Sequence, residues 1–406
     1  MRCTVTLALL VAIVLIGRTD AETPALRWEI QEIARDLTIG YAVALADLNG
    51  DRRPDIVVVD QHRVLWYENP TWKPRTLLQG QTRPDNVCLA VLDVDGDSQL
   101  DIVLGAGWRP FNTQVGGTLQ WLRRRKSLDE EWEMFPIGEE PMVHRVRVAQ
   151  LDGPQAPPAI VLAPLMGQQS TPAANWMDGR PVRILAYRIP KDPVQDPWPT
   201  TVLSEQLHVV HNIAVLPPSK AGGSDRFLAA SYEGVSLISE DSGTWRTHRI
   251  GAGNQKNPQS NRGASEVKMG RLKSGREFIA TIEPWHGHEV VVYTQDVGQD
   301  GLLHRIVIDD QLRWGHAVWC ADLDGDMDDE IIVGVRDQLN EQARSGVRIY
   351  KCRDGRGEQW TRLLLDAAGV AVEDLAAGDL DGDGRVDIVA VGRQTRNVRI
   401  YWNRGR

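Results

Sequence analysis

One pattern recurs along the chain and limits its fold more than any other feature. Alternating apolar residues run into a short loop crowded with carboxylates, and a β-branched run follows. It reads "VALADLNGDRRPDIVVVD" at 43–60, "CLAVLDVDGDSQLDIVLGA" at 88–106, "AVWCADLDGDMDDEIIVGV" at 317–335 and "LAAGDLDGDGRVDIVAVG" at 375–392. Three further copies, at 146–164, 213–232 and 267–283, keep the flanks and lose the acids. A second marker is independent of the first: a Trp stands five residues before an Ile or Leu at Trp28/Ile33, Trp72/Leu77, Trp132/Ile137, Trp198/Leu203, Trp245/Ile250 and Trp360/Leu365, and a strand from Leu303 to Ile308 fills the remaining place. Both markers count seven units. Asp47 and Asp379 lie six intervals apart, a period of about 55 residues, somewhat long for a four-stranded propeller blade.

Each unit reads as short period-2 strands separated by Gly, Asn and Asp, without a long stretch of helical periodicity. The expected fold is all-β, a single seven-bladed β-propeller over residues 22–406. The last unit reaches Trp402 after only three strands, whereas the chain opens with an orphan Trp strand, Trp28 to Ile33. The N-terminal strand is therefore expected to complete the last blade, which removes exposed strand edges. A solenoid would not need that exchange.

The first residues, "MRCTVTLALLVAIVLIGRTDAE", combine a short basic start, an apolar run from Thr4 to Gly17, and small residues at Thr19 and Ala21. They predict a signal peptide over 1–21, a mature chain from near Glu22, and a secreted or periplasmic protein. The apolar run is short for a bilayer of roughly 30 Å, so no stable membrane span is expected after cleavage. A net charge of -9 and the lack of an extended basic patch argue against nucleic acid. Cys88, Cys320 and Cys352 form no close-spaced pair, so disulfides are not the scaffold.

In "DLDGDGRVD" the acids at loop positions 1, 3, 5 and 9 are Asp379, Asp381, Asp383 and Asp387. The same set is Asp47, Asn49, Asp51, Asp55 in the first copy, Asp93, Asp95, Asp97, Asp101 in the second, and Asp322, Asp324, Asp326, Glu330 in the sixth. Alternating oxygens in a Gly-bearing turn suit a hard cation such as Ca2+, which takes six to eight oxygen ligands. Up to four structural Ca2+ sites are expected. Solvated turns without metal are the alternative, but like charges in one turn would then repel. These loops resemble the FG-GAP/VCBS repeats of integrin-type propellers, a resemblance that covers nearly all of the chain after residue 21. It implies calcium in the loops joining the first and second strands of a blade, on the lower face, and it does not by itself imply an activity.

Equivalent positions of the innermost strands of a propeller form a ring around the axis. Six residues before the first loop position stand Tyr41, Val87, His144, His211, Ser265, His316 and Glu373. Three of the nine histidines share this column with a glutamate. Loops on the same upper face add Glu283, Trp285, His286 and His288 in "IEPWHGHEVVVY", and Trp108 and Arg109 from the second unit. Converging imidazoles and a carboxylate could hold Zn2+ or another divalent ion, or exchange protons near neutral pH. Hydrogen-bonded packing at strand starts is the plainer account of each histidine taken singly.

The segments "HNIAV" (211–215), "GASEV" (263–267), "IEPWHGHEVVVYT" (282–294), "WGHAVWCADLDGDMDDEIIVGVRD" (314–337) and "GVRIY" (346–350) resemble the propeller domain of aldos-2-ulose dehydratase. That resemblance implies metal-dependent dehydration of keto-sugars such as anhydrofructose. The family carries cupin-type domains after its propeller, and "WHGH" departs from its "FHGN"-like loop. A carbon–oxygen lyase acting on a carbohydrate or other small molecule is the leading expectation. His144, His211 and His316 are expected as metal ligands or base, His286 as the proton carrier, and Glu373 or Glu283 as the supporting carboxylate. Trp285, Trp108, Arg109, Tyr41 and His288 are the candidate substrate contacts. The alternatives are a non-catalytic propeller that binds glycan or a protein partner through this face, and a scaffold without a small-molecule site.

Overall fold

The structure is a computed structural model and describes residues 26–257, 259–298, 300–337 and 345–406. The segment read as a signal peptide, with Cys3, lies outside the described residues. Seven four-stranded antiparallel sheets follow one another around a ring. Blade one is built from Gly40–Ala46, Asp55–Asp60, Arg63–Glu68 and Lys73–Gln79, innermost strand first. The innermost strands of blades two to seven are Cys88–Leu92, Val143–Ala149, Asn212–Leu216, Glu266–Arg271, Gly315–Ala321 and Val372–Gly378.

Blade seven takes its first three strands, Val372–Gly378, Asp387–Gly392 and Val398–Asn403, from the end of the described chain, and its outermost strand is Trp28–Ala34. Trp28 pairs with Asn403 and Ile30 with Tyr401 across this closure. Side chains fasten it: Trp402 Nε1 donates to Gln31 at 2.9 Å and Arg399 Nε to Glu32 at 2.9 Å. The one helical element among the described residues is a single 3-10 turn at Pro172–Ala174.

The β-branched runs are the second strands of each blade. Ile56 to Val59, Ile331 to Val333 and Ile388 to Val391 are inaccessible to solvent on both faces, because each blade is packed between two others. That is why these segments read as continuous apolar runs while the innermost strands alternate. Each such fully buried side chain contributes about 1.5–3 kcal/mol of hydrophobic stabilisation. The Trp markers fall at or just before the outermost strands, where Trp72 packs against Trp402 of blade seven with ring centroids 6.0 Å apart. Cys88, Cys320 and Cys352 are free thiols, as their spacing predicts.

Candidate functional site

At the upper entry to blades three, four, five and six the chain makes the same turn. Met142, Val209, Gly263 and Trp314, each two residues before the column position, all adopt left-handed backbone with φ between 49° and 71°. For Val209, a β-branched residue, that conformation is costly, and such outliers persist where packing holds them at sites of constraint. The turn delivers His144, His211 and His316 to the axis. His286 arrives from the loop after the second strand of blade five and is itself left-handed, with φ 51°.

These four imidazoles form one cluster. Ring centroids are 4.8 Å apart for His144 and His211, 4.7 Å for His211 and His286, and 4.9 Å for both His211–His316 and His286–His316. His211, His286 and His316 each offer a ligand nitrogen within 4.8 Å of the other two.

The partners of the outer nitrogens fix the tautomers. His316 Nδ1 lies 2.6 Å from the Glu373 carbonyl and His144 Nδ1 lies 3.1 Å from the His211 carbonyl, so both must carry the proton they donate. His211 Nδ1 donates to Glu266 at 2.8 Å. Each Nε2 then carries the lone pair. That of His144 faces the Arg145 guanidinium at 3.3 Å, whereas those of His211 and His316 face inward. His211 Nε2 and His286 Nε2 are 2.9 Å apart, a distance at which two imidazole nitrogens share a proton or a cation. Burial pushes all four imidazoles below the usual histidine range, helped by nearby cations, although Glu266 opposes the shift at His211. Neutral imidazole is the form that binds metal.

Glu373 stands beside His316, with Oε1 3.9 Å from Nε2. Burial pushes its carboxyl up, while Arg336 and Arg393 pull it down. Arg393 donates to Oε1 at 2.9 Å, and Oε2 is buried with no hydrogen-bond partner. Trp285 packs on His286 at 4.6 Å and Trp108 on His144 at 6.4 Å. Tyr41 contacts Trp108 edge-on and donates its hydroxyl to Asp85 at 2.6 Å. Outside His286 a cleft of about 340 Å³ is bordered by Asn254, Lys256, Trp285, His288 and Trp314.

Two expected members stand elsewhere. Glu283 is fully buried within blade five, where Tyr293 at 2.6 Å, Arg305 at 2.8 Å and Thr281 at 2.9 Å occupy its oxygens. It holds its blade together and is not brought to the histidines. His144, expected among the ligands or bases, has both ring nitrogens engaged and sits behind the trio. Arg109 and His288 are exposed at the rim. Four residues that matter were not read from the sequence: Arg145, Glu266, Arg336 and Arg393. The last two occupy one equivalent position, directly after the second strands of blades six and seven, and that repetition was the available signal.

On the lower face, each acid loop is built the same way. The carboxylate at position 1 accepts three backbone N–H groups, as Asp379 does from Gly382, Asp383 and Gly384. Position 9 accepts the N–H of position 2, whose apolar side chain is buried: Asp55 from Leu48, Asp101 from Val94, Glu330 from Leu323 and Asp387 from Leu380. Position 4 is a left-handed glycine in all four, with φ between 76° and 79°. Positions 1, 3 and 9 converge in three loops: Asp93, Asp95, Asp101; Asp322, Asp324, Glu330; and Asp379, Asp381, Asp387. The first loop has Asn49 at position 3 and forms no such acid trio. The position 5 acids, Asp51, Asp97, Asp326 and Asp383, stand outside the trios and cap the N–H of position 7 instead. In the sixth loop the Lys351 ammonium reaches Asp324, Asp326 at 2.7 Å and Glu330 at 3.6 Å.

The loops also interlock neighbouring blades. Asn403 of blade seven donates to the Leu323 carbonyl at 2.7 Å, Asn69 of blade one to Leu380 at 2.8 Å, and Arg124 of blade two to Leu48 at 2.8 Å.

Comparison with known proteins divides the chain along the same lines. The family described as aldos-2-ulose dehydratase, beta-propeller domain, matches residues 116–296, and the FG-GAP-like repeat matches 47–104 and 322–390. The FG-GAP-like matches cover the acid loops, and the dehydratase propeller model matches from the third strand of blade two to the third strand of blade five. Aldos-2-ulose dehydratase of Phanerodontia chrysosporium is 24% identical over 377 residues, covering 87% of this chain. The chain spans only 40% of the length of that relative. Among solved structures, BBS1N in complex with ARL6DN aligns with a TM-score of 0.54 at 13% identity, over 92% of this chain and 95% of that one. A chain of the mitotic checkpoint complex aligns at 0.56 and 10% identity, over 98% of this chain and 100% of that one. At these identities the likeness shows the fold alone.

Proposed function

We propose that the upper funnel is a metal-assisted site that removes water from a keto-sugar, a carbon–oxygen lyase reaction. The observation that carries this reading is the trio of His211, His286 and His316. Three ring nitrogens lie within 4.8 Å of one another, and the Nδ1 of two of the rings is tied to a carboxylate or carbonyl. Such outer partners orient ligating histidines. The donor set fits Zn2+ or a similar divalent ion, which would polarise a bound carbonyl.

Glu373 is the acid–base group of this proposal. Its Oε2, which accepts no hydrogen bond and has Arg336 Nε 3.8 Å away, takes the proton next to the substrate carbonyl, while Arg393 holds Oε1. The carboxyl then returns that proton to the departing hydroxyl. One C–H and one C–O bond break, a C=C bond forms, and water leaves. Trp285 and the cleft beside it hold the sugar ring. The acid trios on the lower face are read as structural calcium cages, supplied with calcium by export through the segment at 1–21.

The test is incubation with 1,5-anhydrofructose and related osones, with Zn2+, Mn2+ or Mg2+ supplied in turn, while following ultraviolet absorbance of the enone. Activity lost in Glu373→Gln, and one transition ion per chain lost in a His211→Ala/His316→Ala double variant, are the expected results. No enone with any metal refutes the lyase. Sugar binding without turnover would leave a glycan-binding propeller in its place.

A further inference from the structure

Below the histidines the axis opens into a second void that the proposed reaction does not use. Residues one step and three steps after the column line it. The first level carries Arg145, Asn212, Glu266 and Asp374, and the second carries Arg147, Lys268 and Trp319, facing Ala44, Ala90 and Ala376. One wall is charged and the other is small, which leaves a cavity of about 360 Å³. That is many times the roughly 30 Å³ share of a single water.

The charges in this cavity do not balance. Three cations, Arg145, Arg147 and Lys268, face two carboxylates. Glu266 is engaged by His211 and Asn212, with Arg145 at 3.9 Å. Asp374 accepts the backbone N–H groups of Val43 at 3.1 Å and Leu375 at 3.0 Å. Among the described residues, Arg147 donates only to neutral acceptors: the carbonyls of Ile213 at 3.1 Å and Val146 at 2.8 Å, and Asn212 Oδ1 at 2.6 Å. Lys268 has its ammonium 3.8 Å over the Trp319 ring and, among the described residues, no acidic partner. Arg147 and Lys268 are half-buried, so each keeps only part of its hydration and gains from a counter-charge placed in the cavity.

We infer that this axial cavity binds a small oxyanion, held between the Lys268 ammonium and the Arg147 guanidinium. Beyond those bonds Arg147 keeps one N–H on each terminal nitrogen to offer the anion, and Lys268 adds a compact point charge on its three rotatable donors. Trp319 keeps the lysine stem in place, and the alanine wall leaves room for the anion and its remaining waters. Burial and the neighbouring Arg147 push the Lys268 ammonium down to about 8. An anion beside it would reverse that shift. The site lies one level below the histidine trio, meets it through Glu266, and holds whether or not the funnel is catalytic.

Calorimetric titration of the whole chain at low ionic strength with sulfate, and separately with acetate, tests this. The expected result is one saturable equivalent per chain of at least one of them. Affinity should fall at least tenfold in Lys268→Met, which removes the ammonium and keeps an apolar side chain at Trp319, and should be unchanged in His286→Ala, whose ring touches no residue of the cavity wall. The bound anion should also raise the melting temperature of the wild type, because it binds the native state alone. Arg147→Met provides a second variant should Lys268→Met fail to melt cooperatively. A preference for sulfate indicates a tetrahedral ligand such as a phosphate or sulfate group, and a preference for acetate indicates a carboxylate. No saturable binding of either anion, or equal binding in both cavity variants, overturns the proposal.

Discussion

His211 of blade four donates Nδ1–H to Glu266 of blade five at 2.8 Å, so a carboxylate from one blade sets the orientation of an imidazole from the next. Removing such a partner from a metal-binding histidine typically lowers metal affinity about 10- to 100-fold. Glu266→Ala should weaken Zn2+ binding by that factor, and Glu266→Gln, which keeps an acceptor for Nδ1–H, by less. Competition with a chromophoric chelator measures both. Equal affinities for the wild type and the alanine variant would remove Glu266 from the site.

Lys351 places an internal cation against Asp324, Asp326 and Glu330 together, whereas at the corresponding strand position Arg123 of blade two pairs with Glu133 and Trp402 of blade seven is uncharged, and Arg404 reaches Asp381 alone of its trio. The sixth loop should therefore bind calcium more weakly than the other two. Lys351→Met should raise its affinity about tenfold, roughly 1.4 kcal/mol, by removing a competing charge. Calorimetric titration resolves the effect as a shift of one class of sites. The melting temperature of the calcium-free variant should fall, since three carboxylates lose their counter-charge.

The position 9 carboxyls are pushed up by burial, Asp55 and Asp387 to about 6, Asp101 to about 7 and Glu330 to about 8. A carboxyl raised in the native state keeps its proton there after the unfolded chain has lost it. The resulting stabilisation is complete below the unfolded value near 4 and is lost as pH rises through the folded values. Metal-free protein should lose melting temperature steadily from about pH 5 to about pH 8. Calcium-loaded protein should not, so the gap between the two widens with pH. Thermal melts of both forms across that range decide it, and a constant gap would dissociate these carboxyls from calcium.

Asn69 and Asn403, both buried, donate across a blade boundary to the carbonyls of Leu380 and Leu323. Replacing either by Ala strands a buried carbonyl and should cost about 1–3 kcal/mol. Chemical denaturation measures the loss. The two sites lie on opposite sides of blade seven and meet at Asp387, which accepts the backbone N–H of both Leu380 and Asn403, so the double variant should depart from additivity by more than about 0.5 kcal/mol.

The ring was legible because it is repeated. A carboxylate that must cap its own loop at Asp47, Asp93, Asp322 and Asp379, and a Trp that must sit at an outer strand, recur at fixed spacing and reveal the period. The histidine column followed from the same period. What stayed hidden depends on geometry across the repeat. Glu266 is one residue past its column position, on the level of Arg145, Asn212 and Asp374 that lines the axis below the histidines, and only the juxtaposition of two blades brings it to His211. Lys351 enters the sixth loop from the third strand, which the loop's own sequence cannot reveal. Glu283 looked like a funnel acid because it adjoins "PWHGH", but its position at the end of a buried strand gives it to Tyr293 and Arg305.

Blade seven joins Gln31 and Glu32 to Trp402 and Arg399 across more than 360 positions of sequence. During synthesis the outermost strand of that blade emerges before the other six blades and must wait for all of them. Until then its apolar face has no permanent neighbour. Blades one to six pair their own strands locally and can form as they are made, so the slow and exposed step of assembly is the closing of the ring. A ribosome-bound chain truncated before Val398 should accordingly be the species that chaperones hold longest.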